Sequence, residues 1–252
     1  MNITIINFKV ENKNIIYTVI VGNYDSLKPP KVITSGWDYV CYTDSDSLVS
    51  DIWDIKKIPE KNLTFEDPKR NASLLKIEYY EIIKKEYEVI VSVDGSLHIN
   101  NNLNDFLNLI EIENYDIAMV KHPHRQCVYQ EAEVCKKHKL DFPNVINKQM
   151  RQYRTEKYPG KNGLWEGMVI TRNQKRGLCQ KAFSFWGQQY RRGSRREQLS
   201  VNYSFWRAQQ NDNNLKINTI SKTGLFPSFF NFSPHLFDPR RGVLWPLGGN
   251  SA

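Results

Sequence analysis

EVIVSVDGS, residues 88–96, decides how this chain folds. Glu88–Val93 is a short, nearly continuous apolar run rich in β-branched residues, and it lacks the polar face an amphipathic helix needs. Such a run suits a strand covered on both faces. It ends abruptly at Asp94-Gly95, so a carboxylate is expected at a strand tip, with Gly95 permitting a sharp turn. Two readings of Asp94 follow from the local sequence. A carboxylate placed there suits a divalent cation bridging two phosphates, and such a cation acts as a Lewis acid on a departing diphosphate. Asp-Gly is equally a common turn pair.

Upstream, Ile15–Gly22 (IIYTVIVG) reads as a second buried strand, Tyr39–Thr43 (YVCYT) as a third and Ile52–Ile58 as a fourth. Met1 to Val10 alternates apolar and polar residues and is expected to be a strand, not a secretory signal. Asn71–Tyr87 has Ala72, Leu75, Tyr79 and Ile82/Ile83 at helical spacing, with Lys76, Glu78, Lys84 and Lys85 between them. Downstream, Asn104–Ile110 predicts a short helix and Asp116–Lys121 a strand. Tyr129–His138 and Val145–Tyr153 predict helices, Leu164–Thr171 a strand and Gln198–Gln209 a helix. Strands alternating with helices imply an α/β fold with a mainly parallel, doubly wound sheet. The whole of 1–252 reads as a single domain, with residues 223–252, rich in Phe, Pro and Gly, as an irregular tail wrapping it. Packing over the core is the expected role of its Leu225–Phe232 segment; an acceptor platform or a peripheral membrane contact is the alternative.

The composition narrows the function. With 40% hydrophobic and 25% charged residues the chain is neither disordered nor fibrous. A formal net charge of +8 favours an acidic partner, whether nucleotide diphosphate, nucleic acid or anionic membrane. Cys41, Cys127, Cys135 and Cys179 show no CxxC spacing, and reduced thiols in a cytoplasmic protein are the simplest account. No apolar run approaches the ~20 residues that span a bilayer.

In doubly wound sheets ligands sit beyond the carboxyl ends of the strands. That rule selects Gly22–Asp25, Thr43–Asp44, Asp94 and His122–Arg125, all of which carry polar residues. Arg70 and Lys76, on the helix before Asp94, are candidates for donor phosphates. His122, His124 and Arg125 can bind phosphate, orient a sugar hydroxyl or ligate a metal. Glu131 and Glu133 follow on the next helix, where a carboxylate–histidine pairing is possible. Glu166 lies between Gly163 and Gly167, and Glu197-Gln198 opens a late helix, where a carboxylate is also favoured by the helix dipole.

In order along the chain, Asp67-Pro68, Arg70, Lys76, Tyr87-Glu88 and Val93-Asp94-Gly95-Ser96 resemble the central block of a glycosyltransferase-like family with bacterial members and plant members linked to mucilage and cell-wall polysaccharide. The likeness continues through His122-Pro123-x-Arg125, Tyr129-x-Glu131-Ala132, Gln149 with Tyr153, Gly163-Leu164-x-Glu166, Arg172 and Glu197-Gln198-Leu199-Ser200 before Tyr203. It spans roughly Tyr17 to Arg207.

This resemblance implies a GT-A-type fold in which a nucleotide-sugar donor, uridine-linked, meets a glycan or polysaccharide acceptor. It places Thr18, Asn23, Tyr24 and Asp25 at the nucleotide base and ribose, with Thr43 and Asp44 on the same rim. The D-x-D triplet of similar enzymes is here Ser92-Val93-Asp94, so only its last carboxylate is present, and Glu197 stands where aspartate is expected. A magnesium or manganese ion on Asp94, with His235 as a further ligand, is the cofactor expected from the resemblance. Asp94, His122, Glu166 and Glu197 are the expected catalytic set; His122, His124, Arg125, Glu131, Glu166 and Gln198 are expected around the acceptor. Two other classes stay open: a nucleic-acid-binding protein using Lys148–Lys161 and Tyr190–Arg196, and an inactive transferase fold that binds glycans.

Overall fold

The structure is a computed structural model that describes residues 13–233 and the backbone of 237–238 and 243–244. The strand expected over Met1 to Val10 and the ligand expected at His235 lie outside the described residues. In chain order the elements are β1 (Asn14–Ile20), β2 (Trp37–Thr43), β3 (Asp54–Lys57), α1 (Pro68–Ile77), β4 (Val89–Val93), β5 (Leu97–Ile99), α2 (Leu103–Leu109), β6 (Ile117–Lys121), α3 (Val128–Lys137) and α4 (Pro143–Thr155). They continue with β7 (Trp165–Asn173), α5 (Cys179–Arg192), α6 (Val201–Asn211), β8 (Ile217–Ile220), α7 (Lys222–Leu225) and β9 (Phe230–Phe232). No helix among the described residues is long and apolar enough to cross a membrane.

Seven strands form one sheet in the order β3-β2-β1-β4-β7-β6-β8. β4 lies at its centre with every residue buried, as its unbroken apolar run requires. Side chains alternate across the sheet. Ile15, Tyr17 and Val19 pack with Leu74, Phe183, Trp186 and Phe205 beneath α1, α5 and α6. Ile16, Ile20, Val91 and Val93 pack on the other face with Phe106 and Phe230. A smaller cluster joins α3 and α4 to α6, where the Tyr153 and Tyr203 rings stack at 3.8 Å.

The sheet is mainly parallel, as expected, but β7 runs antiparallel to both neighbours, β4 and β6. Its first residues therefore lie at the edge where the parallel strands end. Asp94 N–H donates to Met168 O at 2.9 Å, which fixes the start of β7 beside the Asp94 turn.

The helix expected over Asn71–Tyr87 is shorter and earlier. Asp67 caps α1 by accepting from the N–H groups of Lys69 and Arg70, and Pro68 occupies its first turn. The helix stops at Ile77, and the Lys76 carbonyl in its last turn is held from outside the helix. Tyr17 Oη donates to it at 3.1 Å and Arg172 Nη2 at 2.5 Å. A 3₁₀ turn over Tyr79–Glu81 follows. α5, β5 and β8 were not foreseen. In the described part of the tail, up to residue 233, α7 and β9 are regular elements, and β9 pairs antiparallel with β5.

Candidate active site

A cleft of ≈ 270 Å³ opens where β1 and β4 end, where β7 begins and where α1 and the turn before α6 approach. Tyr24, Asp25, Lys76, Asp94, Glu166, Glu197 and Gln198 line it, as the sequence led us to expect. Gly22 allows β1 to end there. Its φ is +66°, and a β-carbon would lie 2.8 Å from Pro68, so the strand end can pack directly on the first turn of α1.

Lys76 holds the carboxylates together. Its Nζ pairs with Asp94 Oδ1, donates to Gly167 O at 3.2 Å and lies 3.9 Å from Glu197 Oε1, with the side chain only 7% exposed. Burial works against the ammonium, but Asp94 and Glu197 outweigh it and hold the amine well above its ordinary value. Lys76 thus stays charged in the cleft floor. Gly167 serves this arrangement as well. A β-carbon there would lie 2.8 Å from Glu197 Cδ, so the close approach belongs to a protein carboxylate.

Ser92, two residues before Asp94, has a different task from a cleft carboxylate. Its hydroxyl accepts from Arg172 Nη1 at 3.1 Å, and both side chains are fully buried. The Arg172 guanidinium lies over the Tyr79 and Phe183 rings at 4.7 and 4.3 Å and anchors the backbone of Lys76. A carboxylate is therefore absent at position 92 where a hydroxyl positions the lysine's support.

Glu166 is the second focus. Lys222 Nζ donates to its Oε2 at 3.3 Å, and His122 Nε2 lies 4.0 Å from its Oε1. Burial raises its carboxyl above the ordinary value, and Lys222 opposes that rise in part. His122 is buried as well. Burial and then the neighbouring Arg125 lower its pKa, which keeps the ring neutral at pH 7. Its Nδ1 accepts the N–H groups of His124 and Arg125 at 3.1 and 3.0 Å, so the ring also staples its own turn.

Several expected residues serve the fold instead and are not among those lining the cleft. Arg125 forms an ion pair with buried Glu131, so Glu131 is matched to an arginine and not to a histidine. His124 is exposed. The Arg70 guanidinium donates to the carbonyls of Tyr190, Arg191 and Gly193 at 3.1–3.3 Å and stacks on Phe65 at 4.0 Å. It caps the end of α5 and is no phosphate ligand in this arrangement. Asp44 accepts the Gly22 N–H at 2.9 Å, and Thr43 Oγ1 accepts the Ser45 N–H at 3.1 Å. Thr18 is buried inside β1, and Asn23 occupies a turn at φ +52°.

The cleft also contains Lys69, Ser73, Arg195 and Arg196, which the sequence did not single out, and Phe232, from the tail segment whose alternative role was an acceptor platform. Lys69 follows Pro68 in the first turn of α1, and beginning that helix at its Asp67 cap would have put it at the rim. Arg196 Nη2 donates to Gln198 Oε1 at 2.7 Å, while its buried Nε has no partner.

The expected cation would have to share Asp94 with Lys76. Among the described residues no three His, Cys, Asp or Glu side chains converge to hold a metal. Of the two expected ligands only Asp94 is described, since His235 lies outside the described residues.

A search of curated proteins finds no match. Among solved structures, the apo crystal structure of mouse xyloside xylosyltransferase 1 is similar at a TM-score of 0.45 and 10% sequence identity, covering 84% of this chain and 85% of that one. The family model described as "TOD1/MUCI70, glycosyltransferase-like domain" matches residues 41–226, from β2 through α7. That match takes in Lys76, Asp94, Glu166 and Glu197 and well over half of the sequence, so the chain belongs to the TOD1/MUCI70 glycosyltransferase-like family.

Proposed function

We propose that this cleft transfers a sugar from a nucleotide-sugar donor, uridine-linked, to a hydroxyl of a glycan acceptor. The observation that carries the reading is the convergence of Asp94, Glu166 and Glu197 with Lys76, Lys69 and Arg196 at the carboxyl edge of the sheet. Its volume is close to the lower bound of about 300 Å³ for ligand pockets. Tyr24 and Asp25 take the nucleoside end. Lys69, Arg195 and Arg196 face the diphosphate; burial and then Arg196 lower the Lys69 amine, so the two guanidinium groups supply the fixed positive charge that stabilises the negative charge developing as it leaves.

Glu166 acts as the general base. The acceptor oxygen bonds to the anomeric carbon as the bond from that carbon to the diphosphate oxygen breaks. The hydroxyl proton passes to Glu166 and the electron pair leaves with the diphosphate. Burial supports this role, because a carboxylate raised above its usual value is a stronger base near neutral pH. A cytoplasmic site of action belongs to the same proposal, supported by four cysteines that are all free and buried.

Two measurements test it. Thermal melting against a panel of nucleotide sugars should single out one donor, since a ligand of the native state raises its apparent stability by mass action. Sugar transfer or donor hydrolysis should then follow with that donor. A panel in which nothing shifts the melting temperature, together with a steep salt-dependent affinity for oligonucleotides, would replace the reading with nucleic-acid binding. The pH profile tests the base. Only ionised Glu166 accepts a proton, so activity should rise with pH through its elevated pKa, placing the acid limb of kcat/KM above the ordinary glutamate range. Glu166→Gln should lose that limb and about 10²–10⁴-fold in rate. An unchanged acid limb in Glu166→Gln rules this residue out as the base.

A further inference from the structure

From the geometry of β9 we infer that Phe232, backed by Phe226, is a stacking platform for a pyranose ring of the acceptor. This rests on the transferase reading and adds the acceptor subsite. β9 is fastened to the segment that follows Asp94: Phe232 pairs with Leu97, and Ser233 N–H donates to Ser96 O at 2.7 Å. The strand therefore brings Phe232 to the cleft rim, where it is among the lining residues.

Two residues away on the same strand, Phe230 is fully buried against Phe106 and serves the core. Phe232 stays 53% exposed although it is a large apolar side chain. It is also held rigid. Phe226 stacks on it at 4.7 Å with the planes only 8° apart, and Lys222 Nζ lies 4.9 Å from its ring centre. The same Lys222 donates to Glu166, so the ring and the proposed base are joined through one side chain.

A rigid, half-exposed aromatic face beside hydrogen-bonding groups matches the chemistry of a sugar ring. The C–H face of a pyranose lies on the aromatic face, while its hydroxyls reach polar neighbours such as Ser233 and Lys222. Because the platform is tied to Glu166, the ring it holds is the one whose hydroxyl reacts. Tyr24 and Asp25, on the loop after β1, line the cleft from a separate element and take the nucleoside.

The test compares wild type, Phe232→Ala and Phe232→Tyr in the full chain, each checked by thermal melting. With the best donor of the panel saturating and methyl glycosides or short oligosaccharides as acceptors, Phe232→Ala should raise the acceptor KM by about tenfold. The affinity for UDP should hold, kcat should change less than the acceptor KM, and Phe232→Tyr should restore acceptor binding. An unchanged acceptor KM overturns the platform; weakened UDP binding with unchanged acceptor KM reassigns the ring to the nucleobase and overturns it too. If wild type turns over no donor, the transferase reading fails separately. Saturation-transfer NMR with the same oligosaccharides then decides the platform, since their signal should depend on Phe232 whether or not transfer occurs.

Discussion

Asp94→Asn should lower sugar transfer by about 10²–10³-fold, the usual loss when one fixed electrostatic group is removed from a reacting centre. The substitution keeps the side-chain volume and leaves the turn intact. Asp94 N–H still donates to Met168 O, and Leu97 N–H still donates to Asp94 O at 3.0 Å. What disappears is the charge that holds Lys76, whose other carboxylate, Glu197, is 3.9 Å away. A charged hydrogen bond is worth about 1.5–3 kcal/mol, and the 36% exposure of Asp94 argues for the lower end. The variant should therefore fold and melt as a cooperative unit. Adding Lys76→Met to it should recover only part of that stability and no activity, because it removes the stranded ammonium but takes from Glu197 the cation 3.9 Å away. Initial rates over a range of donor and acceptor concentrations, alongside melting curves, check both statements. Full turnover by Asp94→Asn would remove the residue from the site.

Arg172→Ala should have the largest effect on stability. The side chain is fully buried and donates to Ser92, Ile170 and the Lys76 carbonyl between two aromatic faces. Truncating a large buried side chain costs about 3–5 kcal/mol. The Ser92 hydroxyl also loses its partner, although Tyr17 continues to serve the Lys76 carbonyl. The total corresponds to a fall in melting temperature of roughly 10 °C for a chain of this length. Arg172→Met separates the causes. It refills most of the volume and should regain most of the stability, but with the guanidinium gone the backbone of Lys76 is less firmly held, and kcat should stay low. Denaturant titration and kinetics of the two variants give the answer. Equal activity in Arg172→Met and wild type would show that Arg172 supports the core alone.

Local patterns carried much of the fold. The β-branched runs at Ile15–Gly22 and Glu88–Val93 are strands because nothing but burial on both faces suits them, and their ends name Asp94 and Asp25 as cleft residues. Helix boundaries were less legible. Asn71–Tyr87 has helical periodicity throughout, yet the helix ends at Ile77, where Tyr17 and Arg172, from distant strands, bond the Lys76 carbonyl. α5 was missed although Ala182, Phe183, Trp186 and Tyr190 recur at helical spacing and are buried on one face.

Asp94 shows where the boundary lies. The sequence by itself determined that a carboxylate ends a buried central strand, because strand propensity and the Asp-Gly break are properties of neighbouring residues. Only the tertiary structure decided what that carboxylate does. Lys76 reaches it from α1, Glu166 arrives because β7 runs against its neighbours, placing its start at the edge where β4 ends, and Glu197 comes in on the turn before α6. Pairing direction and the partner of a buried charge depend on contacts between segments far apart in the chain, and no local pattern encodes them.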